Sequence, residues 1–454
     1  MYKQGFPFKA LPGWAGFGLM VFLAACGHAP AEMPAEETPG VTWDEAVEVD
    51  SGGGHRGPWR MNESEFHFVD DPTVAINDEG EIGVAWADHV AQDIFFQRYS
   101  PEGEPRFDEP VNVSSNPGVF SWLPRMVLTS GEEPSVYILW QEIVFSGGSH
   151  GGEIFFAHST DGGETFSSYI NLSETEAGAG KGRWTADRWH NGSLDIAVGP
   201  EGTIHTAWTE YEGRLWYRRS TDGGEQFFEA ILLAGEGGED PARGPSLAVD
   251  GETVYLAWTV GEDEAADIRM ATSVDNGESF EEPLIVRASE GHADAPALAV
   301  DHTGTLHLAY GESPTGPFEH YEILYTRWDG EGFEEPKAIA ASHTEAPAGA
   351  NFPALAVAAD GNVYAVWEFF PHPLRRPRGL GFTHSTDGGD RFAEPGIIPG
   401  SVDPEGGFNG SQQGLLMRKL AVNAGGTLAV VNSSFNPGES SYVRLIRGRG
   451  ESPS

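Results

Sequence analysis

Ser159-Thr160-Asp161-Gly162-Gly163-Glu164-Thr165-Phe166 is one of four copies of the octet Ser-x-Asp-x-Gly-x-x-Phe. The others run from Ser220 to Phe227, from Ser273 to Phe280 and from Ser385 to Phe392. Two eroded copies, Ser100 to Phe107 and the shortened Trp328 to Phe333, keep the spacing, and successive copies begin 53 to 61 residues apart. A fixed period of this size determines architecture before any local propensity is consulted. A short Asp side chain can accept turn N–H groups, Gly tolerates positive φ, and the aromatic can anchor the turn in a core. Each octet is therefore expected to be a hairpin turn.

The flanks repeat as well. Upstream lies a Pro-x-Leu-Ala-Val-like strand, a Gly turn and a strand ending in an aromatic residue: Pro72 to Trp86, Pro124 to Trp140, Gly192 to Trp208, Pro245 to Trp258, Pro296 to Tyr310 and Pro353 to Trp367. Downstream a further strand opens with Phe-x-Glu-Pro, as at Phe107, Phe280, Phe333 and Phe392. Alternation rich in Val and aromatics signals strands. Four-stranded units without intervening helices describe the blades of an all-β propeller. Six complete units span Asp71 to Gly400. A seventh starts at Leu420-Ala421-Val422 and continues through Val430 and Tyr442 to Leu445, but lacks its fourth strand. Trp43 to Val49 matches the missing piece. The expectation is a seven-bladed β-propeller of four-stranded blades, closed by an N-terminal strand that completes the last blade and protects its edge.

The octets resemble the Asp-box, or BNR repeat, of sialidases and related propellers, over nearly the whole chain after the leader. Sialidases carry six blades, so the resemblance extends to the repeat unit and leaves function open. It implies that the octets are scaffold and that chemistry sits on the opposite rim. There the long irregular loops gather, including 50–70, 173–191, 312–320, 370–380 and 400–416. The residue two before each Pro-x-Leu start is expected to look into the central channel: Asp70, Trp122, His190, Arg243, Asp294 and Asn351. Arg243-Gly244-Pro245-Ser246-Leu247 looks like the Arg-Ile-Pro motif of sialidases. That likeness implies three Arg on a substrate carboxylate, with Arg188, Arg243 and one of Arg375, Arg376 or Arg378 as candidates. It also implies a Tyr nucleophile with a Glu partner, for which Glu210-Tyr211 is the candidate pair; Asp70 and His190 complete the catalytic candidates.

A second ring of acids follows the strand-ending aromatics: Asp88, Glu142, Glu210, Glu312 and Glu368. Paired carboxylates facing a cleft are what glycoside hydrolysis requires, and a ring of acids also suits Ca²⁺; the alternative is that these strand ends are simply solvated. The loop Lys181 to Asn191 carries Trp184 and Trp189, which could stack on sugar rings, beside Arg188, Asp187, His190 and Asn191. Together with Arg243, Asp294 and Asn351, it supplies the expected substrate-binding set. A loop that merely plugs the channel would have the same composition. The 55–67 segment, with His55, Arg56, Trp59, Arg60 and His67, has similar content. No His pair has zinc spacing, and neither a phosphate-binding Gly loop nor Gly-x-Ser-x-Gly occurs, so no cofactor is expected.

Across 454 residues, 27 Lys+Arg stand against 69 Asp+Glu, a formal charge of −42. Such an excess repels phosphate backbones and anionic lipid surfaces, which argues against nucleic acid as a partner. Only five residues are Lys, and an acidic surface of this kind would suit a salty habitat. The single Cys excludes an internal disulfide framework. Residues 1–25 carry Lys3 and Lys9 but no acid, and then the apolar run Leu19 to Ala25. That reads as a secretory signal, and Leu23-Ala24-Ala25-Cys26 resembles the bacterial lipobox, which implies lipidation at Cys26; an ordinary signal followed by an idle thiol is the alternative. Residues 26–40 read as a flexible tether and 41–454 as the propeller. The expected protein is thus a monomer, exported and attached to the cell envelope only through its lipid. Three functions fit: a sialidase-like propeller that binds and hydrolyses glycans, a non-catalytic binding or assembly platform, and a polysaccharide lyase in which His190 and Tyr211 stand beside one Arg.

Overall fold

The computed structural model describes residues 36, 38–58, 60, 62–144, 152–175, 184–185, 188–189, 194–210, 213–238, 240–261, 265–314, 316, 321–328, 330, 332–340, 349–371, 376–403, 407–409 and 418–450. Leader residues 1–25 and Cys26 lie outside this set, as do Trp59, His190, Tyr211 and Arg375.

Seven sheets, each an antiparallel meander, form the blades of a propeller. Their innermost strands are Val69–Ile76, Ser121–Leu128, Leu194–Val198, Ala242–Asp250, His292–Val300, Gly349–Val357 and Leu420–Val422. Blade 4 shows the pattern in full: Ala242–Asp250, Thr253–Val260, Asp267–Ser273 and Leu284–Arg287 pair in sequence order. Blade 7 is completed from the chain's other end, because Val47–Gly52 pairs with the last strand, Ser440–Gly450, bringing Val47 opposite Leu445. Val41–Trp43 extends the same pairing toward Gly450.

The outermost strands are shorter than their sequence suggested, only two residues in blades 1, 2, 5 and 6. In blades 1, 4, 5 and 6 the Pro of Phe-x-Glu-Pro stands just before this strand and offers no N–H there, which blunts the edge.

Each octet closes the turn between third and fourth strands with one set of bonds. In blade 4, Ser273 Oγ donates to Asp275 Oδ1 at 2.7 Å and accepts the Gly277 N–H at 2.9 Å, and Asp275 Oδ1 accepts the Ser279 N–H at 2.9 Å. The other three octets repeat these bonds within 0.1 Å. The invariant Gly has an inter-blade reason. A methyl on Gly163, Gly224, Gly277 or Gly389 would overlap Phe96, Phe156, Tyr217 or Tyr325 of the preceding third strand. The octet's Phe meets the same ring edge-on, with Phe280 4.8 Å from Tyr217 and Phe392 4.8 Å from Tyr325. The octets therefore staple neighbouring blades together. Phe, Tyr and Trp from adjacent sheets fill the interfaces, and Trp86, Trp140, Trp208 and Trp258 are fully buried.

Candidate functional site

The opposite rim is built on a repeated backbone irregularity. In blades 1, 2, 4, 5 and 6 the residue before the Pro takes a left-handed conformation: Asp71 (φ 51°), Leu123 (54°), Gly244 (60°), Ala295 (55°) and Phe352 (55°). The ladder slips at each of these places. A bulge of this kind re-aims the side chain before it. Three of the expected channel-facing residues are consequently turned onto their own backbone. Asp70 Oδ1, Asp294 Oδ1 and Asn351 Oδ1 accept the N–H of the next residue at 2.8, 2.8 and 2.7 Å. The polarity of this ring is partly a device for holding the bulge.

The acid ring has structural employment throughout. Glu142 accepts Trp140 Nε1 at 3.0 Å and Asn116 Nδ2 at 2.7 Å. Glu210 accepts Trp216 Nε1 at 2.8 Å and pairs with Arg214 at 2.7 Å. Glu312 is held by Arg287 and by Ser289 Oγ, and Asp88 caps the N–H groups of Val90 and Ala91. Glu368 and Lys419 form a wholly buried pair at 2.7 Å; burial depresses the ammonium pKa against the attraction of the carboxylate. The expected acid/base pair Glu210–Tyr211 is described only at Glu210. Asp403, also on this rim, is buried, and burial pushes its carboxyl up to about 8.

The channel is bridged near this rim. Arg418, preceding blade 7, makes a two-pronged contact with Asp195 of blade 3, Nε to Oδ1 and Nη2 to Oδ2, both at 2.8 Å. An axial cavity of about 280 Å³ extends along the inner strands of blades 4 to 6.

Among the described residues of this rim, one cluster brings Arg, His and Tyr together. Arg243 Nη2 lies 3.1 Å from His292 Nε2, and His292 Nδ1 lies 2.9 Å from the Tyr321 hydroxyl. Guanidinium can only donate. His292 Nε2 is therefore the acceptor, Nδ1 carries the hydrogen, and that N–H donates to the Tyr321 oxygen. Asp294 faces Arg243 Nε at 3.4 Å and accepts Thr259 Oγ1 at 3.1 Å. Burial pushes the Asp294 carboxyl up, but the charge of Arg243, helped by the hydrogen bonds from the Ala295 N–H and the Thr259 hydroxyl, prevails and holds it below its usual range. Arg243 is 5% exposed, and its Nη1 has no hydrogen-bond partner. Gly311 makes room for the cluster, since a methyl there would strike Asn351 Oδ1. Arg243, Asp294 and Asn351 of the expected binding set thus converge.

His292 and Tyr321 were not singled out in the sequence. The signal was available: His292 opens the inner strand that carries Asp294, and Tyr321 directly precedes the third strand of the same blade. Of the other Arg candidates, Arg378 donates to the Asp403 carbonyl and Arg376 lies over Phe408. In the 181–191 loop the backbone pairs Trp184 with Trp189 and Thr185 with Arg188, and their side chains lie outside the described residues.

No family model matches the chain, and no curated protein matches it. Similarity appears in solved structures. A polysaccharide lyase of family PL25, an ulvan lyase bound to -[GlcA(1-4)Rha3S]-, superposes with a TM-score of 0.57 at 13% identity, covering 90% of this chain and 96% of that one. The polysaccharide lyase Uly1 gives 0.50 at 11% identity, covering 89% and 99%. A Hadza microbial sialidase, Hz136, gives 0.43 at 12%, covering 67% and 63%. At these identities the likeness is one of fold.

Proposed function

We propose that the protein is a glycan-processing propeller whose rim cluster cleaves a uronate-containing polysaccharide by β-elimination. The observation that carries this reading is the hydrogen-bonded line Arg243–His292–Tyr321. Support also comes from glycan-active proteins sharing the fold, two of them polysaccharide lyases matched over nearly their whole length.

Elimination needs a cation on the uronate carboxylate, a base for the C5 proton and an acid for the leaving O4. Arg243 Nη1 binds the carboxylate and stabilises charge as C5 loses its proton. The Tyr321 oxygen accepts that proton, and His292 Nδ1–H stabilises negative charge on the oxygen beforehand. The C5–H electrons form the C4=C5 bond, the C4–O4 bond breaks, and O4 leaves with its electron pair and takes the proton back from Tyr321. Nothing is oxidised and no water is consumed. Asp294 positions Arg243.

Sialidase chemistry would need three Arg beside a Tyr–Glu pair, and among the described residues Arg243 alone joins the cluster. A binding platform remains the second reading, since the fold serves it equally. The reading includes export and lipid attachment at Cys26, tested by whether Cys26→Ala releases the protein from membranes. For the activity, the protein is incubated with uronate polymers, sialosides and neutral glycans and the products are weighed. Unsaturated ends from the uronate polymer alone are expected; water-added products, or no cleavage, would overturn the elimination.

A further inference from the structure

We propose that the axial cavity binds one small hydroxy acid, held by its carboxylate on Arg125 of blade 2. The cavity measures about 280 Å³, just under the range of about 300–1,000 Å³ that small-molecule pockets occupy. Arg243, His292 and Tyr321 are not among its walls, so the proposal does not depend on the elimination reading.

The inner strands carry a repeated device on their channel side. Arg125, Asp195, Ser246, Ala297 and Ala354 hold the same position in blades 2 to 6. In blades 3 and 4 that residue caps its neighbour: Asp195 Oδ2 accepts the Leu247 N–H at 2.8 Å, and Ser246 Oγ accepts the Leu298 N–H at 3.0 Å. The series stops in blade 5, because Ala297 has no acceptor to offer Leu355. The ladder places Leu355 opposite Ala365 as it places Leu298 opposite Leu308, which turns the Leu355 N–H into the cavity.

Arg125 departs from the series in another way. It sets five N–H donors where Ala297 and Ala354 set none. The residue is 3% exposed and lines the cavity. Among the described residues its hydrogen bonding is one contact, from Nη1 to Pro124 O at 2.8 Å. Asp195 and Asp71 attract its charge, but the Asp195 oxygens are engaged by Arg418 and by the Leu247 N–H. What remains is a planar fork of donors opening on the cavity, the geometry that two carboxylate oxygens match.

Blades 2 and 6 stand across the axis from each other. Donors on both walls select a ligand with acceptors at both ends, a carboxylate for Arg125 and a hydroxyl oxygen for the Leu355 N–H. Ala248, Ala297, Leu298 and Ala299 form the wall between and face its carbon body. A bare inorganic anion would leave that apolar wall unfilled.

The test titrates the whole protein by calorimetry, at low ionic strength, with sodium gluconate, propionate, sulfate and chloride in turn. Expected are one equivalent of gluconate bound and affinities about tenfold or more weaker for the other three. Arg125→Met should weaken gluconate about tenfold or more, the scale of one lost charge-assisted contact, and Arg125→Lys should weaken it less. Arg243→Ala should keep the full equivalent, which separates this site from the rim. Ala299→Leu fills the cavity from its wall, leaves the guanidinium in place and should abolish binding, so the outcome stays decidable where Arg125→Met does not fold. The proposal is overturned if gluconate does not bind, if any of the other three anions binds as tightly, or if folded Arg125→Met or Ala299→Leu binds gluconate as the wild type does.

Discussion

The two rims of this propeller follow opposite rules. On the octet rim four turns repeat the same hydrogen bonds almost to the tenth of an ångström, and each presses a glycine onto the preceding blade's aromatic ring. On the other rim the five bulges share a backbone, but what stands on them differs: Asp70 with Asp71, Trp122, Arg243, Asp294, Asn351. Repetition marks the parts that hold blades together. Departure from it, on a backbone that stays constant, marks the places free to carry chemistry.

The contrast breaks most readily at Tyr321. Tyr321→Phe should lower the elimination rate about a thousandfold, the scale of removing a proton-transferring group, with little change in melting temperature. A variant that melts early would make Tyr321 a packing residue. Lys419→Met leaves Glu368 buried without its cation and should cost about 3–5 kcal/mol, measured by denaturant unfolding. An unchanged midpoint would show that the pair is solvated.

The rims should also answer pH in opposite senses. On the octet side, burial and then the charge of Arg219 lower His205 to about 4, below the ordinary 6.5. The unfolded chain then binds more protons between those values, so stability falls as pH drops from 6.5 toward 4, by roughly 3 kcal/mol. On the other rim Asp403 is raised from 3.8 to about 8. Here the folded chain binds more protons, and stability falls as pH rises through that window; Asp403→Asn should remove this alkaline loss. Melting curves from pH 4 to 9 for wild type and variant separate the two. The smallest effect belongs to Ser273→Ala, which removes the hydroxyl that donates to Asp275 and accepts the Gly277 N–H and should cost about 1 kcal/mol without touching activity.

The blade count and the closing strand were legible because both are encoded locally. Octets, Pro starts and Trp ends recur, and Trp43 to Val49 matches what blade 7 lacks. The candidate cluster was legible only in part. Arg243, Asp294 and Asn351 could be found because they sit at a repeated position, whereas His292 and Tyr321 join them through a fold contact between residues 29 apart. The acid ring was misleading for a related reason. Sequence places Glu142, Glu312 and Glu368 at strand ends, but Asn116, Arg287 and Lys419, which occupy them, come from other strands and loops.

The central claim, that one rim carries chemistry and the other carries stability, is tested most directly by measuring unsaturated uronate release and unfolding free energy together for Tyr321→Phe and Ser273→Ala. The account predicts that Tyr321→Phe loses release and keeps its stability, while Ser273→Ala loses stability and keeps its release. Equal release from both proteins, or a loss of release that tracks instability in each, would contradict it.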